Sequence, residues 1–386
     1  MSQTGDMVQV HLLTAYPAAL LNRDDAGLAK RIPFGGATRI RISSQCLKKH
    51  WRDAGQIQDL GDQAVRSTRI YEDLVAEPLV KNQNASEQEA LAIAQYLMSQ
   101  TVDTKPVRGK NGEETALSGQ LLVLTRAETD FLAELGADLL RQLREQSVSA
   151  TTPKDVEQHA KIEDKEVKKM LKDRHLPASL DTALFGRMVT SDLFARVDSA
   201  VSVAHAFTTH AEEAETDYFT AVDTLKGPED DAGAGLINDI ELTSGVFYTY
   251  AVLDMNQLRD NLVGHPDELV ERLARNLVQA MTTVSPGAKR GSTAPYAYAE
   301  FVMMERGGEQ PRTLANAFLQ PVHANGANVL ADSAAKLLKY RRELREMYGA
   351  EGDATATLST IHDVPTDGVE RMPLPRALDT VFGAAE

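Results

Sequence analysis

Apolar and polar residues alternate over Met7–Tyr16, where Val8, Val10 and Leu12 recur at every second position. That period predicts a strand. Arg39-Ile40-Arg41-Ile42 alternates strictly, so Ile40 and Ile42 are expected to face a core and Arg39 and Arg41 the other side. Ser43 or Ser44 then caps a helix that stops at Gly55. On it Lys48 and Arg52, four apart, share a face with Lys49 adjacent. From about Gln56 to Thr182 the period becomes helical. Ser86 and Glu89 form a capping box ahead of Leu91, Ala94 and Met98, and Phe131, Leu135, Leu139 and Leu143 repeat every four residues. Val156–Arg174 is mostly charged and reads as a solvated helix, and Gly109–Glu114 as a loop tip. Strand character returns at Asp198–Phe207, Val246–Leu253 and Ala299–Met304, with helices predicted over Pro266–Met281, where Leu269, Leu273, Leu277 and Met281 form one stripe, and over Asn328–Tyr348. Gly227–Gly235 reads as a flexible acidic tip. No tandem repeat is visible.

With the two intruding stretches set aside, the order is strand (7–16), helix (44–54), strand (198–207), strand (246–253), helix (266–281), strand (299–304). This is α+β, in the ferredoxin-like βαββαβ pattern shared with RNA-recognition modules. A helical insertion follows the first helix, and an acidic one joins the middle strands.

The 386 residues are 42% hydrophobic and 25% charged, ordinary for a soluble globular protein. No run of 18 apolar residues exists, which excludes a spanning helix, and the polar start lacks the apolar region of a signal peptide. Cys46 is the only cysteine, which rules out a disulfide framework or a zinc site built on several cysteines. A cytoplasmic location is the resulting expectation. The net charge of −15 by itself opposes nucleic acid, whose phosphates need cations. The distribution reverses that reading. Ala26–Arg52 holds seven cations (Lys30, Arg31, Arg39, Arg41, Lys48, Lys49, Arg52) and no acid, whereas Glu212–Glu241 holds ten acids and one base, Lys226. Such polarity points to one anionic partner and one surface kept away from it.

The cationic strand–helix unit, with Gly35-Gly36 beside it, could track a phosphate backbone; runs of one sign are less often a plain solvated face than mixed runs are. Pro286-Gly287-Ala288-Lys289-Arg290-Gly291 could lay amides and two cations on a phosphate. It lacks P-loop spacing, and an ordinary exposed turn fits it equally. Asp24 and Asp25 could hold Mg²⁺ for phosphodiester cleavage, but sequence neighbours rarely aim at one metal, and a turn pair is the simpler reading. His205 and His210 are five apart, unsuited to zinc on a helix, and no HExxH occurs. Ser44 precedes Lys48 by four residues, not the three of a serine–lysine nucleophile. Phe247, Tyr248 and Tyr250 could stack bases, with core packing expected for at least one face.

The stretch Leu20–Lys49 (LLNRDDAGLAKRIPFGGATRIRISSQCLKK) resembles the CasC family, the repeated backbone subunit of the type I-E CRISPR Cascade complex. Phe185–Met188 (FGRM), Ala204–His210 (AHAFTTH), Phe219–Asp223 (FTAVD), Ser244–Tyr248 (SGVFY) and Pro286–Lys289 (PGAK) follow in the family's order. The resemblance implies an RRM-like palm (1–56, 183–206 and 244–386), a helical fingers insertion (57–182) and a β-hairpin thumb (207–243). It implies a non-catalytic subunit that polymerises head to tail along a CRISPR RNA guide. The guide stays available to target DNA, other Cascade subunits join, no cofactor or metal is needed, and the assembly serves antiviral defence. Carried over by position, Arg23, Lys30, Lys48, Lys49 and Arg52 match guide-facing cations. Arg187 and Met188 match a motif along the guide, Lys289 and Arg290 the basic loop, and Arg39 and Arg41 lie in the same cationic stretch. His210 and Phe219 fall in the thumb, with Phe219 a candidate wedge beside a displaced base. Cys46 stands where serine is expected. An alternative is a guide-directed ribonuclease of the type III kind, with Asp24 or Asp25 as the cleaving residue.

Overall fold

The strand predicted at the N-terminus spans Met7–Ala19 (β1), and its residues are buried almost without interruption from Val8 to Thr14. Strict alternation would leave one face wet; continuous burial means that both faces of the sheet are covered. The computed structural model describes residues 5–160, 178–187, 196–212, 214–221, 236–323, 328–349 and 354–384, with 214–221 and 236–240 described by their backbone. The tip expected at Gly227–Gly235, much of the solvated helix expected over Val156–Arg174, and Met188 lie outside the described residues. Among the described residues no helix is long and apolar enough to cross a membrane.

The fold is mixed α+β in two units, 1–59 with 201–256 and 266–386, and 60–200 with 257–265. The expected fingers insertion ended at 182; the second unit continues to 200 and takes in a further short stretch.

In the first unit, β2 (Arg31–Phe34) and β3 (Ala37–Ile42) form a hairpin, followed by β6 (Val201–Val203), β7 (Ala206–Thr208), β8 (Ala214–Ala221), β9 (Leu236–Asp254), β10 (Phe301–Gly307), β11 (Thr355–Thr360) and β12 (Glu370–Arg371). The sheet order is β12-β11-β10-β1-β9-β7-β3-β2, with β6 and β8 also pairing β9. β9 is antiparallel to β1 in a register that sets Val10 opposite Ala251 and Leu13 opposite Tyr248. Asp198–Phe207, read as one strand, is two short strands that both pair β9. β8 pairs the N-terminal part of β9 from Ala214↔Thr243 to Ala221↔Leu236, a hairpin ladder continuous with the main sheet. One face carries Leu13, Tyr248, Phe301, Met303 and Leu358 under Leu337 and Leu338 of the helix Val329–Tyr348. Helix Asp267–Thr283 buries Leu273, Leu277 and Met281 of the predicted stripe and leaves Leu269, at its start, half-buried.

The second unit packs helices Glu87–Thr101 and Arg126–Glu145 around Ile93, Leu97, Leu132, Leu139 and Leu143. Ser86 and Glu89 make the capping box reciprocally, and Thr125 and Glu128 make a second one. β4 (Val65–Ser67) and β5 (Leu122–Leu124) add a two-stranded ribbon.

Candidate nucleic-acid interface

Three chain segments meet around the first helix, Ser44–Arg52. Ser43 is its N-cap and accepts from the Cys46 amide, while the Ser43 amide donates to the Asn22 side chain. The Lys30 amide donates to the Asn22 carbonyl, and the Arg41 amide to the Lys30 carbonyl at 2.7 Å. The Ala288 amide donates to the Leu20 carbonyl at 2.9 Å, which docks the basic loop beside the start of the 20s loop. Leu47 and Trp51 bury the inner face of the helix. The backbone network, rather than side-chain packing, therefore brings the cations together.

The electrostatics trace that convergence. Burial pushes the Cys46 thiol pKa up, against the pull of Lys30, Lys49 and Arg290. Burial lowers His50, helped by Arg290 and Lys49 and opposed by the Cys46 carbonyl and Asp53. Burial lowers His205, helped by Arg41 and Lys30. Lys30 thus acts on both Cys46 and His205, and Arg290 reaches the helix from the far loop. Both histidines are held neutral near pH 7, so the positive field comes from Lys30, Arg41, Lys49 and Arg290. Arg41 lies 2.9 Å from the His205 ring nitrogen. Lys49 is exposed but pairs Asp53 at 2.8 Å, with Arg52 Nε 3.6 Å from the same carboxylate. Lys48 and Arg52 are half-buried, and burial lowers the Lys48 pKa. Arg23 is exposed beside its bridge to Ala29; Lys289 is half-buried and Arg290 exposed.

Several expected site residues take other positions. Arg39 is 0% exposed. Its guanidinium donates to the carbonyls of Thr208 (2.9 Å), Phe318 (2.8 Å) and Phe34 (3.3 Å). Alternation failed at this one position because Thr208 and Phe318 close over Arg39, while Arg41 on the same face stays half-buried. Arg187 is also buried, its guanidinium forked on Glu128 with Nη2–Oε1 at 2.9 Å. The Gly-Arg of that motif is therefore a core ion pair. His210 is buried: its Nε2 accepts from the Val246 amide and its Nδ1 donates to the Ala211 carbonyl. A Cβ on Gly245 would sit 2.8 Å from His210 Nε2, so this glycine makes room for the imidazole. Phe219 pairs Asn238 by backbone; its side chain lies outside what is described. Phe247, Tyr248 and Tyr250 are all buried, so both faces of that strand pack in the core.

The Gly35-Gly36 turn also differs from expectation. Both residues have positive φ, as a two-residue hairpin turn requires. A Cβ on Gly35 would overlap the Leu319 carbonyl, so Gly35 admits the chain's own backbone, not an approaching phosphate.

Charge spacing did not reveal that the two charge extremes touch. Arg31 donates to Glu212 at 2.6 Å and to Glu241, which also accepts from the Ala29 amide. Glu241 and then Glu212 raise the Arg31 pKa against burial. Asp24 is a turn residue: its carboxylate accepts from the Leu28 amide at 3.0 Å. Among the described residues no group of three or more acids, histidines and cysteines could hold a metal.

Comparisons with known proteins bear on this geometry. The family described as CT1975-like protein matches residues 8–381. A solved chain described as "CRISPR RNA-guided surveillance complex, pre-nicking" is 26% identical, with a TM-score of 0.84, covering 97% of this chain and 100% of its own. A second, described as "CRISPR RNA-guided surveillance complex", is 22% identical with a TM-score of 0.75, covering 98% and 100%, a likeness of fold. No curated protein matches the chain.

Proposed function

The chain belongs to the CT1975-like protein family, and from that premise we propose that it is a non-catalytic, CRISPR RNA-binding backbone subunit of a type I-E Cascade surveillance complex. The observation that carries the reading is the likeness over 97% of the chain to a subunit of an RNA-guided surveillance complex. The convergence of Lys30, Arg41, Lys49 and Arg290 supports it independently, because an acidic protein has kept one locally cationic surface.

The strand order β10-β1-β9-β7, with one helix after β1 and another before β10, supports an RRM-like palm. The helical second unit corresponds to the fingers and the β8–β9 hairpin to the thumb. Cations that hold phosphates read no sequence. Copies placed head to tail would grip the guide by its backbone and leave its bases to pair with target DNA. Lys30, Arg41, Lys48, Lys49 and Arg290, with Arg23, Arg52 and Lys289 around them, are the proposed phosphate contacts; Arg39 and Arg187 are not.

The test is co-purification with the operon partners. Bound RNA, read from ultraviolet absorbance and released by protease, is the expected result; a complex free of nucleic acid overturns it. Magnesium-dependent cutting of guide-paired RNA, lost in Asp24→Ala/Asp25→Ala, would replace the non-catalytic reading with the ribonuclease alternative.

A further inference from the structure

The basic loop continues into two exposed aromatics. Tyr296 and Tyr298 are 73% and 69% exposed and stand two residues apart, a pair of aromatics on one short stretch rather than a single exposed side chain. They flank Ala297, and Ala297 is fixed: its amide donates to Ser285 Oγ at 3.0 Å, and Ser285 Oγ donates to its carbonyl at 2.9 Å.

The Arg290 guanidinium donates to the Ser285 carbonyl at 3.0 Å. A single residue, Ser285, therefore holds a cation and the backbone between the two tyrosines. Gly287 tightens the loop further. A Cβ there would lie 2.8 Å from Pro295 Cγ and 3.0 Å from the Arg290 side chain, so only glycine lets the two arms approach this closely. Arg290 in turn acts on Cys46 and His50 of the first helix, which ties the aromatic pair to the cationic surface.

We infer that Tyr296 and Tyr298 form a stacking platform for unpaired nucleobases, with Arg290 and Lys49 holding the neighbouring phosphates. The inference rests on the RNA-binding reading and adds to it. Phosphate contacts alone cannot tell a base-bearing strand from a bare backbone. A π-face can, and it accepts every base. The aromatics are held on a pinned loop, so little ordering is left for the moment of binding. Charge decides the occupant: Arg290 is held at Ser285, the residue that also fixes Ala297 between the two tyrosines, and a cation so placed suits a polyanionic strand.

The experiment compares two anionic probes of equal length and charge on the full chain, an oligoadenylate and its abasic counterpart. Wild type should prefer the oligoadenylate by about tenfold or more, the range expected for a stacked base. Tyr296→Ala/Tyr298→Ala should bring that ratio close to one, while Tyr296→Phe/Tyr298→Phe retains it. Lys49→Ala/Arg290→Ala should lower both affinities in step. A ratio unmoved by the alanine pair overturns the platform, and so does a change confined to self-association, which would make the patch a protein contact. Failure of wild type to bind either probe overturns the RNA-binding reading itself.

Discussion

Arg39 and Phe318 are joined across the sheet edge: the buried guanidinium donates to the Phe318 carbonyl at 2.8 Å. With the Thr208 carbonyl at 2.9 Å, this links β3, β7 and the segment before helix Val329–Tyr348. Burial lowers the Arg39 pKa, and three carbonyl dipoles compensate the charge.

Arg39→Met is expected to destabilise the protein by about 3 kcal/mol, since two buried carbonyls lose their donor at roughly 1–3 kcal/mol each. Urea unfolding measures this directly. A near-normal midpoint combined with weakened RNA binding would return Arg39 to the surface role.

Glu128→Gln should cost about 3–5 kcal/mol, because it leaves the buried Arg187 guanidinium without its counter-charge. Adding Arg187→Met should cost less than the sum of the two single changes, as expected for groups in direct contact. Additive losses in a double-mutant cycle would show that the pair does not interact.

His11 brings a pH dependence. It is buried on β1, within 2.9 Å of the Tyr248 hydroxyl and 3.7 Å from Glu305. Burial lowers its pKa from 6.5 to about 4, a shift that Glu305 opposes and that Arg312 and Arg341 assist. Burial also pushes Glu305 up, but Arg341, His11 and Arg312 outweigh it and hold the carboxyl below its usual range. The unfolded chain protonates His11 near 6.5 and the folded chain near 4, so the unfolded state binds more protons between those values. Stability is full above pH 6.5 and falls as pH drops through 4, by roughly 3 kcal/mol from this group. His11→Gln should flatten that part of the stability–pH curve; an unchanged slope in thermal melts across the interval would refute it.

Lys30→Ala/Lys49→Ala should weaken RNA binding about equally for unrelated sequences. The slope of log K against log salt should become shallower by roughly 1.4, at about 0.7 per lost single-strand contact. Asp53→Asn should tighten binding at low salt, because Asp53 neutralises Lys49 and approaches Arg52. Salt titrations of fluorescent oligonucleotides read both effects, and unequal losses between sequences would argue for base readout at this surface.

Much of this was legible along the chain because it depends on near neighbours. The strands at Met7, Val246 and Phe301, the helix capped by Ser43, the capping box at Ser86 and Glu89, and the stripe of Leu273, Leu277 and Met281 all follow from local period and local hydrogen bonding. The family was legible too, since its motifs lie in order along a chain that matches over residues 8–381. Burial of individual charges was not legible. Nothing near Arg39 or Arg187 in sequence distinguishes them from Arg41 or Arg23; Thr208, Phe318 and Glu128, which complete them, lie tens to hundreds of residues away. The contact of Arg31 with Glu212 and Glu241 is likewise a property of the sheet. Short-range patterning determined the elements and the charge each carries. Only the tertiary packing decided which charges meet water, because desolvation depends on every atom that approaches from elsewhere in the chain.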